Sequence, residues 1–114
     1  MMAIFDTENH RVVTTVPIGE GSDGTAFDPG PQLAFSSNGD GTLTIVKEEN
    51  PSSFRIIANV NTRPGARTMA LDTKLHRIFT ATATFGPAPA PTPEHPHPHG
   101  EPLPGSFVVL MLDH

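Results

Sequence analysis

The histidines of this 114-residue chain concentrate in one proline-rich segment. Three of the six histidines, His95, His97 and His99, alternate with prolines, and Glu94 and Glu101 lie beside them. Imidazole nitrogens and carboxylate oxygens are ligands that Zn²⁺, Ni²⁺ and Cu²⁺ accept. Alternation with proline favours polyproline II, whose about three residues per turn point alternate side chains in different directions. A proline loop also gives little second-shell support. We therefore expect adventitious metal binding rather than a built site.

Aspartates are the other side chains that could hold a cation. Asp28, Asp40 and Asp72 lie at predicted turns, where an aspartate caps the backbone amides that follow it, so we predict a structural role. The chain has no cysteine and hence no disulfide or thiolate chemistry. No serine has the sequence context of a nucleophile elbow. No catalytic residue is predicted.

The charge distribution bears on the class of partner. The net charge is −5, and the seven Lys and Arg residues are scattered along the chain. A nucleic-acid-binding protein usually shows a basic stripe, so no nucleic-acid partner is predicted. No apolar run approaches the ~20 residues that a transmembrane helix needs. Hydrophobic residues make up 36% of the chain, which predicts a thin core.

The elements that must position these side chains follow from an internal repeat. Three segments match three others at one offset of 44 residues, and agreement at a single offset indicates a repeated structural unit. The matches are Val12–Val16 with Ile56–Val60, Ser22–Asp28 with Ala66–Asp72, and Gln32–Ser36 with His76–Thr80.

Each matched segment is short, rich in β-branched or aromatic residues and bounded by turn residues, which is typical of strands. Asp28–Pro31 and Asn38–Gly41 predict tight turns, and Glu48–Ser53 predicts a longer polar loop. His10 is predicted in a turn, and His76 at a partly exposed strand start. The nine predicted strands are Met2–Phe5, Arg11–Val16, Thr25–Phe27, Gln32–Ser36, Leu43–Lys47, Phe54–Val60, Thr68–Leu71, His76–Ala83 and Phe107–Leu112.

The proline-rich segment interrupts the repeat. Residues 84–105 hold eight of the thirteen prolines and are incompatible with a helix or a central strand. Leu43 and Phe107 lie 64 positions apart, so removal of a 20-residue insertion at 86–105 restores the period. We predict that this insertion joins the second and third strands of the last unit.

Four antiparallel strands every ~40–45 residues is the blade period of a β-propeller. The predicted fold is all-β, with about two four-stranded antiparallel blades of an incomplete ring. Residues 1–18 would end one blade, 19–62 would form a complete blade, and 63–114 would form a last blade without its outer strand. We expect the chain to be the C-terminal portion of a longer propeller; the alternative is a short chain that self-associates through open sheet edges.

The residues of this repeat resemble the YVTN-type β-propeller family. The resemblance is carried by Val16–Gly19, Gly24–Gly30 and Leu33–Asn38, with Leu43–Val46 and Met2–Asp6 matching the following strand, and it covers nearly the whole chain outside residues 86–105. Phe35 and Phe79 stand where the family motif has tyrosine.

The resemblance implies a bacterial propeller in a secreted, periplasmic or cell-surface setting, and a role as a binding scaffold. We expect a non-catalytic scaffold or a module that binds a ligand or a partner, together with the remaining blades of a parent propeller. The alternative is part of a propeller enzyme, lactonase-like or metal-dependent, whose catalytic residues lie in other blades.

The loops that lead into innermost strands lie near the channel of a propeller, where ligands often bind. Asp23 and Arg67 align across the repeat in such loops, and Arg63 lies close to Arg67 in the sequence. We predict Asp23, Arg63 and Arg67 as ligand-contacting residues, with the two arginines as an anion-binding pair. Salt bridges to a neighbouring blade are the alternative role.

Overall fold

The computed structural model describes residues 1–113 and contains only strands, turns and irregular segments. All of its sheets are antiparallel and none of the described residues is helical, so the predicted all-β class is confirmed. None of residues 1–113 forms a helix long and apolar enough to cross a membrane. The strands are β1 Met2–Asp6, β2 Arg11–Val16, β3 Ser22–Asp28, β4 Leu33–Asn38, β5 Thr42–Asn50, β6 Ser53–Asn61, β7 Thr68–Asp72, β8 Arg77–Thr82 and β9 Val108–Asp113.

The strands form three sheets that follow one another along the chain. Sheet A contains β1 and β2, sheet B contains β3 to β6, and sheet C contains β7 to β9. Every neighbouring pair within a sheet is also consecutive in sequence, which makes each sheet a meander. Between sheets, β2 lies beside β6 and β3 lies beside β7. Sheet B therefore lies between sheets A and C.

The predicted repeat is present in the hydrogen-bond ladders of sheets B and C. Ala26 pairs with Phe35 in sheet B, and Ala70 pairs with Phe79 at the equivalent position of sheet C. The turns between these strands also agree, because Gln32 and His76 both adopt a left-handed conformation, with φ of 58° and 53°. The two hairpins are thus built alike, residue for residue.

Sheet A repeats the outer half of sheet B. Met2 pairs with Val16 just as Leu43 pairs with Val60, and Val16 and Val60 are related by the repeat. The two ladders share an irregularity at the same place, between Ile4 and Phe5 in β1 and between Ile45 and Val46 in β5; the β5–β6 ladder has a second one between Glu48 and Asn50. A shared β-bulge is a specific feature, since bulges set the local bend and twist of a strand pair.

The main hydrophobic core lies between sheets B and C. Its buried residues all come from one face of sheet B, except Ile78 of sheet C. Half-buried side chains of both sheets complete it, and their apolar burial stabilises the contact at roughly 25 cal/mol per Å². The buried members are Leu33, Phe35, Leu43, Ile45 and Ile78, and the half-buried members are Ala58, Val60, Met69, Leu71 and Leu112.

The opposite face of sheet B carries a buried polar ladder beside apolar side chains. The Ser36 hydroxyl donates to Asn38 Oδ1 at 2.9 Å, and Asn38 Nδ2 donates to Thr44 Oγ1 at 3.1 Å. Thr44 Oγ1 in turn donates to Asn59 Oδ1 at 2.8 Å. The ladder crosses β4, β5 and β6, so that buried hydroxyl and amide groups are satisfied within the sheet.

The structure corrects two details of the predicted strands. The predicted polar loop Glu48–Ser53 is mostly strand, because β5 continues to Asn50 and only Pro51 and Ser52 form the turn. Glutamates are tolerated here because this end of the hairpin is largely exposed, and Arg55 Nε pairs with Glu49 Oε1 at 2.7 Å. Gln32 and His76, each predicted to begin a strand, are the last residues of their turns, and β4 and β8 begin at Leu33 and Arg77.

The register of β9 also differs from the prediction. The predicted period placed Phe107 in the position of Leu43, but Val109 pairs with Ala81 as Leu43 pairs with Ser37. The equivalent residues are therefore 66 positions apart rather than 64. A shift of two residues leaves every side chain on the same face of a strand, so alternation in the sequence could not detect it.

Candidate functional site

Three loops meet at the end of sheets B and C where the first strands of these sheets, β3 and β7, begin. The Gly39 amide donates to the Gly21 carbonyl at 2.8 Å, and the Gly65 amide donates to the Gly39 carbonyl at 2.8 Å. Gly65 has φ of 79°, a left-handed conformation that favours glycine. Backbone hydrogen bonds thus join the β2–β3, β4–β5 and β6–β7 connections into one surface.

A cleft of about 570 Å³ opens on this surface. Glycine and proline backbone forms much of its wall, and one cation, one aromatic ring and one imidazole complete it. The lining residues are Gly21, Gly39, Pro64, Gly65, Arg67, Phe85 and His99. A cation beside an aromatic ring suits a ligand that carries both an anionic group and an apolar body.

Arg67 is held in the cleft by its backbone. Its amide donates to the Gly65 carbonyl at 2.9 Å, and its carbonyl accepts a hydrogen bond from the Ser37 hydroxyl of sheet B. Gly24 permits this approach, because a Cβ there would overlap the Ser37 hydroxyl and the Met69 side chain. Hydrogen bonds thus hold the backbone of Arg67 in place, while the residue as a whole is exposed to solvent.

Arg63 lies near Arg67 but in a different cavity. This second cavity, of about 330 Å³, is lined by Arg63, by Pro64 and by residues 82–85. Pro64 and Phe85 line both cavities. The two arginines thus line neighbouring cavities, and their role as an anion-binding pair stays a prediction.

Asp23 makes a contact between the neighbouring strands β3 and β7. It is exposed on β3, and its Oδ2 accepts a hydrogen bond from Thr68 Oγ1 of β7 at 3.4 Å. The residues that line the cleft do not include Asp23. Its role as a ligand-contacting residue stays a prediction.

The proline-rich segment folds back on itself and is closed at its base. Phe85 and Pro102 form an isolated bridge, and the Gly86 amide donates to the Glu101 carbonyl at 2.8 Å. At the far end, the amides of Thr92 and His95 each donate to the other's carbonyl at 3.1 Å. The segment therefore connects β8 to β9 as predicted, and its base adjoins the cleft.

His95, His97 and His99 together line a cavity of about 630 Å³ within this segment. Across residues 1–113, no group of three or more His, Cys, Asp or Glu side chains is placed to hold a metal ion. A site for Zn²⁺, Ni²⁺ or Cu²⁺ at these histidines stays a prediction. His99 also lines the cleft with Arg67, a proximity that the sequence analysis did not anticipate.

Asp40 supports the loops beside the cleft. The Thr42 hydroxyl, at 2.6 Å, and the Glu20 amide, at 2.8 Å, donate to the Asp40 carboxylate and lower its pKa. A lowered pKa means that ionised Asp40 stabilises the fold above the ordinary aspartate pKa of about 4, and that this contribution is lost as the pH falls through the folded-state pKa.

We therefore expect the Glu20 amide to keep its protection from hydrogen exchange down to the ordinary aspartate pKa, and to lose it only as the pH falls further, through the lowered pKa of Asp40. Hydrogen exchange followed by NMR from neutral pH to well below the ordinary aspartate pKa measures this loss. In Asp40→Asn, protection of the Glu20 amide should be low throughout and should vary less with pH after correction for intrinsic exchange. Equal pH dependence in the two proteins would contradict the assigned role of Asp40.

A contact between sheet B and the β7–β8 turn was not predicted from the sequence. Asp28 is buried at the end of β3, and its Oδ2 lies 2.6 Å from Nδ1 of His76 in the β7–β8 turn of sheet C. Asp28 also accepts a hydrogen bond from the Gly30 amide at 3.2 Å, which confirms its predicted capping role. The alignment of Gln32 with His76 in the repeat could not predict this contact, because the contact joins Asp28 of one unit to His76 of the next.

The candidate site is a glycine-lined cleft that holds Arg67, Phe85 and His99 where two sheets meet. No protein-family model, no curated protein and no solved structure matches this chain.

Proposed function

We propose that this chain is a section of a YVTN-type β-propeller and acts as a non-catalytic binding module. The repeated ladder registers support the propeller assignment, as does the face-to-face packing of sheet C on sheet B. In a propeller, each blade packs on the next around a channel, with inner strands lining the channel. Here β3 and β7 are the first strands of their sheets and lie beside each other.

The proposed ligand is a small organic anion bound in the cleft. The observation that carries this proposal is the position of Arg67, whose backbone is held by Ser37 and Gly65 while its side chain lines a cavity with Phe85. A guanidinium can hold a carboxylate or phosphate with two parallel hydrogen bonds. Phe85 and Pro64 then offer an apolar surface to the rest of the ligand.

Binding of benzoate and of phenyl phosphate, followed by amide chemical shifts, tests this proposal. We expect shifts to concentrate at Gly39, Gly65 and Arg67 during the titration. Arg67→Ala should weaken binding by about tenfold or more, because a hydrogen bond to a charged group contributes about 1.5–3 kcal/mol. Arg67→Lys should recover part of the loss, since it keeps the charge without the bidentate geometry.

Arg55→Ala is the matched control. Arg55 lies on β6 and pairs with Glu49 away from the cleft, so its loss removes an equal charge without altering the site. Equal weakening by Arg55→Ala and Arg67→Ala would show a general effect of net charge. Equal weakening would contradict the proposed site. So would a titration in which no amide shifts concentrate around the cleft.

A further inference from the structure

Sheets A and C, the two end sheets, each expose one face. The residues at equivalent positions of sheet B are buried. On sheet B, Phe35, Leu43 and Ile45 are 0%, 2% and 9% exposed because sheet C covers them. The ladders place Phe79, Val109 and Met111 at the equivalent positions of sheet C. Of these, Val109 is 59% and Met111 is 56% exposed. The outer face of sheet C is therefore an apolar surface without a covering sheet among residues 1–113.

Sheet A shows the complementary situation at the other end. Phe5 occupies in β1 the position of Val46 in β5, because their partners Val12 and Ile56 are related by the repeat. Val46 is 0% exposed on the face of sheet B that is directed toward sheet A, whereas Phe5 is 54% exposed. Val12, opposite Phe5, is also exposed.

The packing inside the chain shows which face covers which. Leu112 occupies in sheet C the position of Val46, and its side chain packs against the core face of sheet B. Within the chain, the face of a sheet that carries the residue equivalent to Val46 thus packs on the face of the preceding sheet that carries Leu43 and Ile45 or their equivalents. The outer face of sheet A carries Phe5, the equivalent of Val46. The outer face of sheet C carries Val109 and Met111, the equivalents of Leu43 and Ile45. The outer face of sheet A can therefore pack on the outer face of sheet C in the way that neighbouring sheets pack within the chain.

We propose that a second copy of this chain docks head to tail, with the outer face of its sheet A on the outer face of sheet C. This inference rests on the propeller arrangement proposed above, in which copies of the chain supply the neighbouring blades. The contact repeats the part of the B–C interface that Leu112 makes, because Phe5 is the counterpart of Leu112 in sheet A. It buries Phe5 and Val12 of one copy against Val109 and Met111 of the other. Such a contact is heterologous, so a pair of copies retains one open sheet A face on one copy and one open sheet C face on the other. Association therefore continues into a ring or an open stack.

Single-face variants test this directionality. Phe5→Glu blocks the outer face of sheet A, and Met111→Glu blocks the outer face of sheet C. Each exposed residue can change without a core cavity, and circular dichroism checks that the fold is kept. Light scattering coupled to size exclusion should show the wild-type chain associating with rising concentration. Each variant alone should be a monomer, because head-to-tail contact needs both faces.

A mixture of the two variants gives the decisive reading. Met111→Glu retains its sheet A face and Phe5→Glu retains its sheet C face, so an equimolar mixture should form a dimer that neither forms alone. Leu75→Glu, at a residue 58% exposed in the turn before β8, should associate like the wild type.

Three results would overturn the proposal. A monomeric wild-type chain at millimolar concentration would show that a different partner covers these faces. Continued association of Phe5→Glu alone would indicate that two sheet C faces pack together, and continued association of Met111→Glu alone would indicate the same for two sheet A faces. A mixture that stays monomeric would exclude head-to-tail contact.

Discussion

Phe35→Ala is expected to destabilise the chain by about 3–5 kcal/mol, the usual cost of removing a fully buried phenylalanine ring. Phe35 is entirely buried in the core between sheets B and C, and its neighbours Leu33 and Ile45 lie in the same cluster. The backbone of β4 is paired on both sides and offers little freedom to close the cavity. Urea unfolding followed by circular dichroism measures the loss.

Phe79→Ala is the matched control for this prediction. Phe79 has the same place in the ladder of sheet C as Phe35 has in sheet B, but it lies on the outer face and is only half-buried. At a protein concentration where the chain is monomeric, its loss should cost less than about 2 kcal/mol. Equal destabilisation by the two variants would contradict the assigned inner and outer faces of the sheets.

Asp28→Ala is expected to destabilise the chain by about 2–4 kcal/mol, because it removes two roles at once. The buried carboxylate caps the Gly30 amide and also bonds His76 across the boundary between sheets B and C. Loss of the cap leaves a turn amide without its acceptor, and loss of the carboxylate removes a hydrogen bond between sheets. The free energy of unfolding in urea gives the total.

Asp72→Ala separates the two roles of Asp28. Asp72 is the repeat equivalent and caps the amides of Lys74 and Leu75 at 2.9 and 3.1 Å, so its loss should cost about 1 kcal/mol. A double-mutant cycle of Asp28→Ala with His76→Ala should give a coupling energy of about 1–3 kcal/mol. A coupling near zero would mean that the Asp28–His76 contact does not stabilise the packing of the sheets.

Local chemistry made most of the fold predictable. All nine strands lie where short β-branched or aromatic segments lie between turn residues, and the proline-rich segment joins β8 to β9 as expected. The repeat also predicted that equivalent residues such as Phe35 and Phe79 would occupy equivalent ladder positions. These features depend on residues that are close in the sequence, or on a repeated unit whose two copies can be compared with each other.

Contacts between units could not be predicted in the same way. His76 stands where the preceding unit has Gln32, so the repeat pattern carries no sign that it bonds Asp28. The register of β9 could not be predicted because a shift of two residues leaves each side chain on the same face of the sheet. His99 lines the cleft with Arg67 because of the way the proline-rich segment folds back, and no short-range pattern in the sequence predicts that path.

The packing of sheet C on sheet B underlies the cleft, the proposed function and the head-to-tail contact. Nuclear Overhauser effects between methyl groups measure this packing directly in a chain with labelled isoleucine and leucine. We expect cross-peaks that join Leu43 or Ile45 of sheet B to Ile78 or Leu112 of sheet C, since these residues form one cluster. A well-folded chain whose spectra lack every such cross-peak would contradict the account.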